Sequence, residues 1–102
     1  EQKSRGWQAR PAYLDGVLSL HLVDQTGSPV VLENLQATYG RPVSSAQDRI
    51  AALNYAGNGL YRVEQRLESG LWQLAFDGNS ASGPYRLELR IHVDAQDKGT
   101  LQ

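Results

Sequence analysis

The sequence predicts an all-β protein, an immunoglobulin-like antiparallel β-sandwich of six to seven strands. Three observations lead there. Apolar residues recur at every second position in several short segments. Turn signals rich in Gly and Pro separate those segments at regular spacing. No segment shows the i, i+3, i+4 stripe of an amphipathic helix. The length of 102 residues suits one domain with one core.

Residues 17–24 (VLSLHLVD) place Leu18, Leu20 and Leu22 on one face and Val17, Ser19, His21 and Val23 on the other. That is a half-buried strand. Residues 24–29 (DQTGSP) read as a turn. Residues 35–39 alternate again and stop at Gly40, Arg41 and Pro42. The polar run 43–47 reads as a connection between sheets. Residues 48–55 (DRIAALNY) are short enough to favour a strand over a helical turn.

Gly57-Asn58-Gly59 is a turn, and residues 60–67 form a strand with Tyr61, Val63, Gln65 and Leu67 on one side. Tyr61, two residues after Gly59, suits either a tyrosine-corner bond or an ordinary core position. Glu68-Ser69-Gly70 reads as a hairpin loop. Residues 71–77 follow, with Trp72, Leu74 and Phe76 on the core face. Residues 78–84 (GNSASGP) read as a flexible tip. Residues 85–93 (YRLELRIHV) alternate most cleanly, with Tyr85, Leu87, Leu89, Ile91 and Val93 inward. This terminal strand could pair edge to edge in a homodimer, with Arg86, Glu88 and Arg90 discouraging uncontrolled pairing. We therefore expect a lead segment at 1–13, the sandwich at 14–94 and a frayed polar tail at 95–102. In the lead segment Trp7 reads equally as a cap on the sandwich or as a contact for a partner or membrane.

Composition narrows the chemistry. Ten Lys and Arg against eleven Asp and Glu give a net charge of -1. That balance argues against nucleic acid and against a polybasic membrane patch. The chain has no Cys and no Met, which removes disulfides, thiolate and thioether metal sites and Cys nucleophiles. No Ser sits in a Gly-x-Ser-x-Gly turn, and Gly57-Asn58-Gly59 precedes no helix that could bind phosphate. The acids lie scattered over outward positions and turns rather than paired for glycoside chemistry. We expect no catalytic and no cofactor-binding residues. His21 and His92 are the metal candidates, with Asp15, Asp24 or Asp94 as further ligands for Cu(II) or Zn(II). No short spacing groups them, and two solvated strand histidines is the simpler reading.

Several motifs fall in a familiar order. Residues 18–24 are followed by Gly27-x-Pro29, then by a strand ending in Arg41-Pro42. Gly59-x-Tyr61 and Gly70-x-Trp72-x-Leu74 come next, and Gly6-Trp7 stands upstream. Over residues 6–93 this resembles the soluble domain of the FixH family. The resemblance implies an N-terminal membrane anchor ahead of an extracytoplasmic sandwich, on the periplasmic face of the bacterial inner membrane. The lack of Met at position 1 agrees with a piece of a longer protein. The resemblance further implies partnership with a copper-transporting P-type ATPase and with subunits of the cbb3-type cytochrome oxidase, in nitrogen-fixing and other respiring bacteria. It carries over no catalytic residue. Without Cys or Met, the domain lacks the soft ligands that suit Cu(I). Two other readings stand beside it: a copper carrier using His21 and His92, and an unrelated immunoglobulin-like adhesion or scaffold module.

Overall fold

A computed structural model describes residues 7–42, 44–80 and 83–101, with 44–47 as backbone only. Nine strands are present among the described residues: β1 (Gln8–Leu14), β2 (Val17–Val23), β3 (Glu33–Arg41), β4 (Ser44–Ala52), β5 (Asn54–Gly57), β6 (Leu60–Glu64), β7 (Gly70–Ser80), β8 (Gly83–Val93) and β9 (Gly99–Leu101). They form two antiparallel sheets, ordered β1-β2-β6-β5 and β4-β3-β7-β8-β9. The first has the A-B-E-D order of an immunoglobulin-like sandwich. The second has the C′-C-F-G order with one strand added.

The extra strands lie where periodicity is faint. The lead segment contributes β1, which pairs along its whole length with β2. Its turn is Asp15-Gly16, both at positive φ (53° and 78°), the conformation a two-residue hairpin requires. The run 43–47 is not a connection, because β4 begins at Ser44 and forms a hairpin with β3; Val43 itself lies outside the described residues. Through Leu101 the expected tail is ordered by a turn and a strand. Asp94 folds the chain back by accepting the N–H groups of Gln96 and Lys98, and β9 then pairs with β8. Asp24 builds the same loop after β2, where its carboxylate accepts from Thr26 and Ser28. The Thr26 hydroxyl bond and these N–H groups hold the Asp24 carboxyl below the usual carboxylate range.

Two other expectations change. Glu68-Ser69-Gly70 closes no hairpin, because β6 and β7 belong to different sheets. The segment crosses between them. Most of the expected flexible tip is ladder: Gly78 pairs with Tyr85, Asn79 with Pro84 and Ser80 with Gly83. Residues 81 and 82 lie outside the described residues. β8 is also no free terminal strand, since β9 covers Ile91, His92 and Val93.

The core follows the period of two. Leu18, Leu20 and Leu22 are fully buried from the first sheet, and Leu74 and Phe76 from the second. Tyr85, Ile91 and Val93 of β8 join them as expected. Trp7 packs at the margin, its ring 5.6 Å from that of Tyr85, so the capping reading describes its place in the fold.

Tyr13 and Tyr61 are also buried, and their hydroxyls carry the polar burden of the core. Tyr61 donates to the Val30 carbonyl (2.6 Å) and accepts from the Leu32 N–H (2.7 Å). The tyrosine-corner expectation is thus corrected in its partner. The bond reaches the crossover from β2 to β3, far away in sequence, rather than a local turn. Tyr13 accepts the Leu67 N–H (2.8 Å) on the crossover from β6 to β7 and donates to Asp97 (2.6 Å).

Each hydroxyl satisfies backbone that has left its ladder, so its loss strands a buried polar group. Tyr61→Phe should lower unfolding free energy by about 1–3 kcal/mol, measured by urea denaturation. An unchanged midpoint would refute the clamp. Burial, with the Asp97 hydrogen bond, raises the Tyr13 phenol above its ordinary value, and burial raises Tyr61. The folded state therefore keeps protons that the unfolded state releases above roughly pH 10. Stability should be level up to about pH 9 and fall as pH rises past about 10, through the folded-state values. Denaturation midpoints at either pH should show a smaller alkaline loss in the Tyr13→Phe/Tyr61→Phe double variant.

Candidate functional site

The two histidines do not meet. β2 buries Leu20 and Leu22, so His21 faces outward from the first sheet; β8 buries Ile91 and Val93, so His92 faces outward from the second. Packed sheets stand about 10 Å apart with a full layer of side chains between them. The rings point away from each other, and one ion with Cu–N bonds near ~2 Å cannot reach both. His21 Nε2 lies 3.0 Å from the Asn58 carbonyl. Asp24 and Asp94 are engaged with their own loops. Among the described residues no group of three or more His, Asp or Glu gathers as a metal site.

The site that the fold does assemble lies at the end of the sandwich where β3 and β7 meet the 65–69 crossover. It is a depression of about 360 Å³, lined by Tyr39, Arg41, Arg49, Arg66, Glu68 and Trp72, with Gln65 and Gly40 completing it. Trp72 corrects the expectation of a core side chain. Its alternation with Leu74 and Phe76 is right, but it sits one pair nearer the end of β7, where the inner layer opens to solvent. It is half-buried, tilted against Tyr39 at 6.1 Å, with Nε1 donating to the Glu68 carbonyl (2.7 Å).

Arg41 closes over it. Its guanidinium lies 3.9 Å from the Trp72 ring, a cation–π stack. Nη1 donates to the Leu71 carbonyl (2.9 Å) and Nη2 to that of Ser69 (3.4 Å). Gly70, at φ 118°, supplies the seat: a Cβ there would stand 2.9 Å from Arg41 Nη1. Glu68 is a distant counter-charge, 3.9 Å from Arg41 and almost fully exposed. Such an exposed pair contributes little. Arg66 is held from the other side by Asp97, over the bare backbone of Gly16. Arg49 stands opposite Tyr39 on the edge strand β4 and has no ion pair among the described residues.

Three guanidiniums thus line the depression beside Trp72, one of them paired with Asp97, and Glu68 stands exposed on the rim. The chemistry of the lining is that of anion recognition. The sequence reading passed over these arginines because they come from three separated segments. Two motif pieces did mark the place. Arg41-Pro42 and Gly70-x-Trp72 are distant in sequence, and the register Gly40↔Gln73 brings them into one stack.

The FixH family model matches residues 1–92 of the chain. No curated protein and no solved structure matches it. Since Trp72 is only half-buried, Trp72→Ala should cost about 2 kcal/mol in urea denaturation, below the roughly 3–5 kcal/mol of a fully buried aromatic. A loss at the upper end would show that the ring belongs to the core and not to the depression.

Proposed function

Because the chain belongs to the FixH family, we propose that it is a non-enzymatic, extracytoplasmic accessory domain carried on a membrane anchor. In this reading it serves assembly or copper supply of a cbb3-type cytochrome oxidase, together with a copper-transporting P-type ATPase. The family match over residues 1–92 is the observation that carries it. The chemistry of the chain is consistent with docking as its mode of action. The depression that gathers three arginines beside Trp72 is suited to a partner's side chains. With no Cys and no Met in the sequence, sulfur ligation of Cu(I) falls to the partners rather than to this domain.

The test is made in a bacterium that expresses the whole membrane-anchored protein with an affinity tag. Solubilised membranes should yield oxidase subunits or the P-type ATPase with the tagged protein. Deleting the sandwich while keeping the anchor should abolish that capture and reduce oxidase activity. Intact oxidase activity in the deletion strain, with neither partner captured, would overturn the reading. The purified domain should also compete poorly with a chelator for Cu(II), and His21→Ala/His92→Ala should change nothing. Stoichiometric binding lost in that double variant would instead make the domain a copper carrier.

A further inference from the structure

We infer that the depression around Arg41, Arg49 and Arg66 is a carboxylate-binding pocket that takes an acidic peptide segment of a partner protein. The inference rests on the docking reading above and adds the chemistry of what is docked.

The argument starts from electrostatics. Three guanidiniums share one concave lining with the exposed Glu68, while Asp97 pairs with Arg66 from outside it; one positive charge is left over, and a carboxylate ligand relieves it. One of the three is held by several contacts. Arg41 is pinned by the Trp72 stack, two backbone carbonyls and the bare Gly70. Arg66 pairs with Asp97 and stays largely exposed. Side chains fixed before binding lose little entropy on binding. A guanidinium has five N–H donors, and Arg41 spends only two groups on carbonyls, so donors remain for an incoming oxygen. Arg49, unpaired among the described residues, lines the same depression from the neighbouring strand β4 and adds a third guanidinium.

The rest of the lining favours peptide over phosphate. Glu68 on the rim repels a phosphate dianion more strongly than a single carboxylate. The partly exposed Trp72 can meet an apolar neighbour of the acidic residue, and the Gln65 amide can bond to main chain. A volume of about 360 Å³ holds one or two side chains of an extended segment.

The test is calorimetric titration of the purified domain with an N-acetylated, C-amidated Gly-Glu-Glu-Leu-Glu-Gly peptide and with its all-Gln counterpart. Inorganic phosphate and vesicles of phosphatidylglycerol or phosphatidylcholine are titrated in parallel. The Glu peptide should bind at least about tenfold more tightly than the Gln peptide, weakening as salt rises. Arg41→Gln and Arg49→Gln should each weaken it by about tenfold or more, while Arg90→Gln, on the outer face of the second sheet, leaves it unchanged. Arg49→Gln carries the decision, because Arg49 supports nothing else in the fold. Equal binding of the two peptides, or full affinity in Arg49→Gln, would overturn the inference. Arginine-dependent binding of phosphate or of phosphatidylglycerol vesicles, without the Glu peptide, would overturn it in favour of a phosphate-bearing ligand. The tagged membrane protein separates the two levels. Partner capture that survives Arg41→Gln/Arg49→Gln overturns the pocket and keeps the accessory role. Arginine-dependent peptide binding without any captured partner keeps the pocket and overturns that role.

Discussion

A two-sheet sandwich must let its chain leave one sheet and enter the other, and each departure takes backbone out of its ladder while it is still buried. Here the chain crosses from β2 to β3, from β4 to β5 and from β6 to β7. Buried N–H and C=O groups need partners at each crossing. Tyr61 supplies them at Val30 and Leu32, Tyr13 at Leu67, and the Leu35 carbonyl serves the N–H of Leu53. A tyrosine suits this work because its ring fills apolar space and its hydroxyl both donates and accepts. With the crossovers clamped, the inner faces can be wholly apolar, and no charged residue is buried among those described.

The motifs that run through the chain sort into two physical groups. Gly59, Pro29 and Tyr61 surround the end of β2: a Cβ on Gly59 would meet the Leu22 carbonyl at 2.4 Å, and that carbonyl accepts the N–H of Val30. These residues hold the fold together. Arg41, Gly70 and Trp72 form the second group at the end of β3 and β7, and they order a surface. A bare glycine serves in both groups for one reason, since neither a carbonyl nor a guanidinium could come so near a side chain. The clamp and the depression also share parts. Asp97, which accepts from the Tyr13 hydroxyl, is the carboxylate that holds Arg66.

Strands with one dry face could be read from the sequence, and those at the edges only in part: the single strand expected over 48–55 divides at Leu53 between β4 and β5, in different sheets. β2, β7 and β8 alternate because their neighbours bury one side, and their inward residues are the expected ones. β1, β5, β4 and β9 are the edge strands of the two sheets, and little burial disciplines their sequence. Turn residues mark two of these strands. Asp15-Gly16 marks the β1–β2 hairpin, and the chain from Asp94 to Lys98 repeats the loop from Asp24 to Ser28, with Asp97 taking the positive φ that Gly27 takes in the other. Trp72 shows the limit of alternation itself, which assigns a side but not a depth.

The sequence by itself determined the fold class, the faces of the long strands and the absence of sulfur chemistry, because side-chain period and composition are local properties. It also carried enough ordered motifs to resemble the family whose model matches residues 1–92. Only the tertiary structure decided which sheet each strand joins. That choice sends His21 and His92 to opposite outer faces and turns residues 65–69 into a crossover. It also gathers Arg41, Arg49 and Arg66 around Trp72. Convergence of this kind is set by sheet order and register between segments far apart in the chain, which no local pattern encodes.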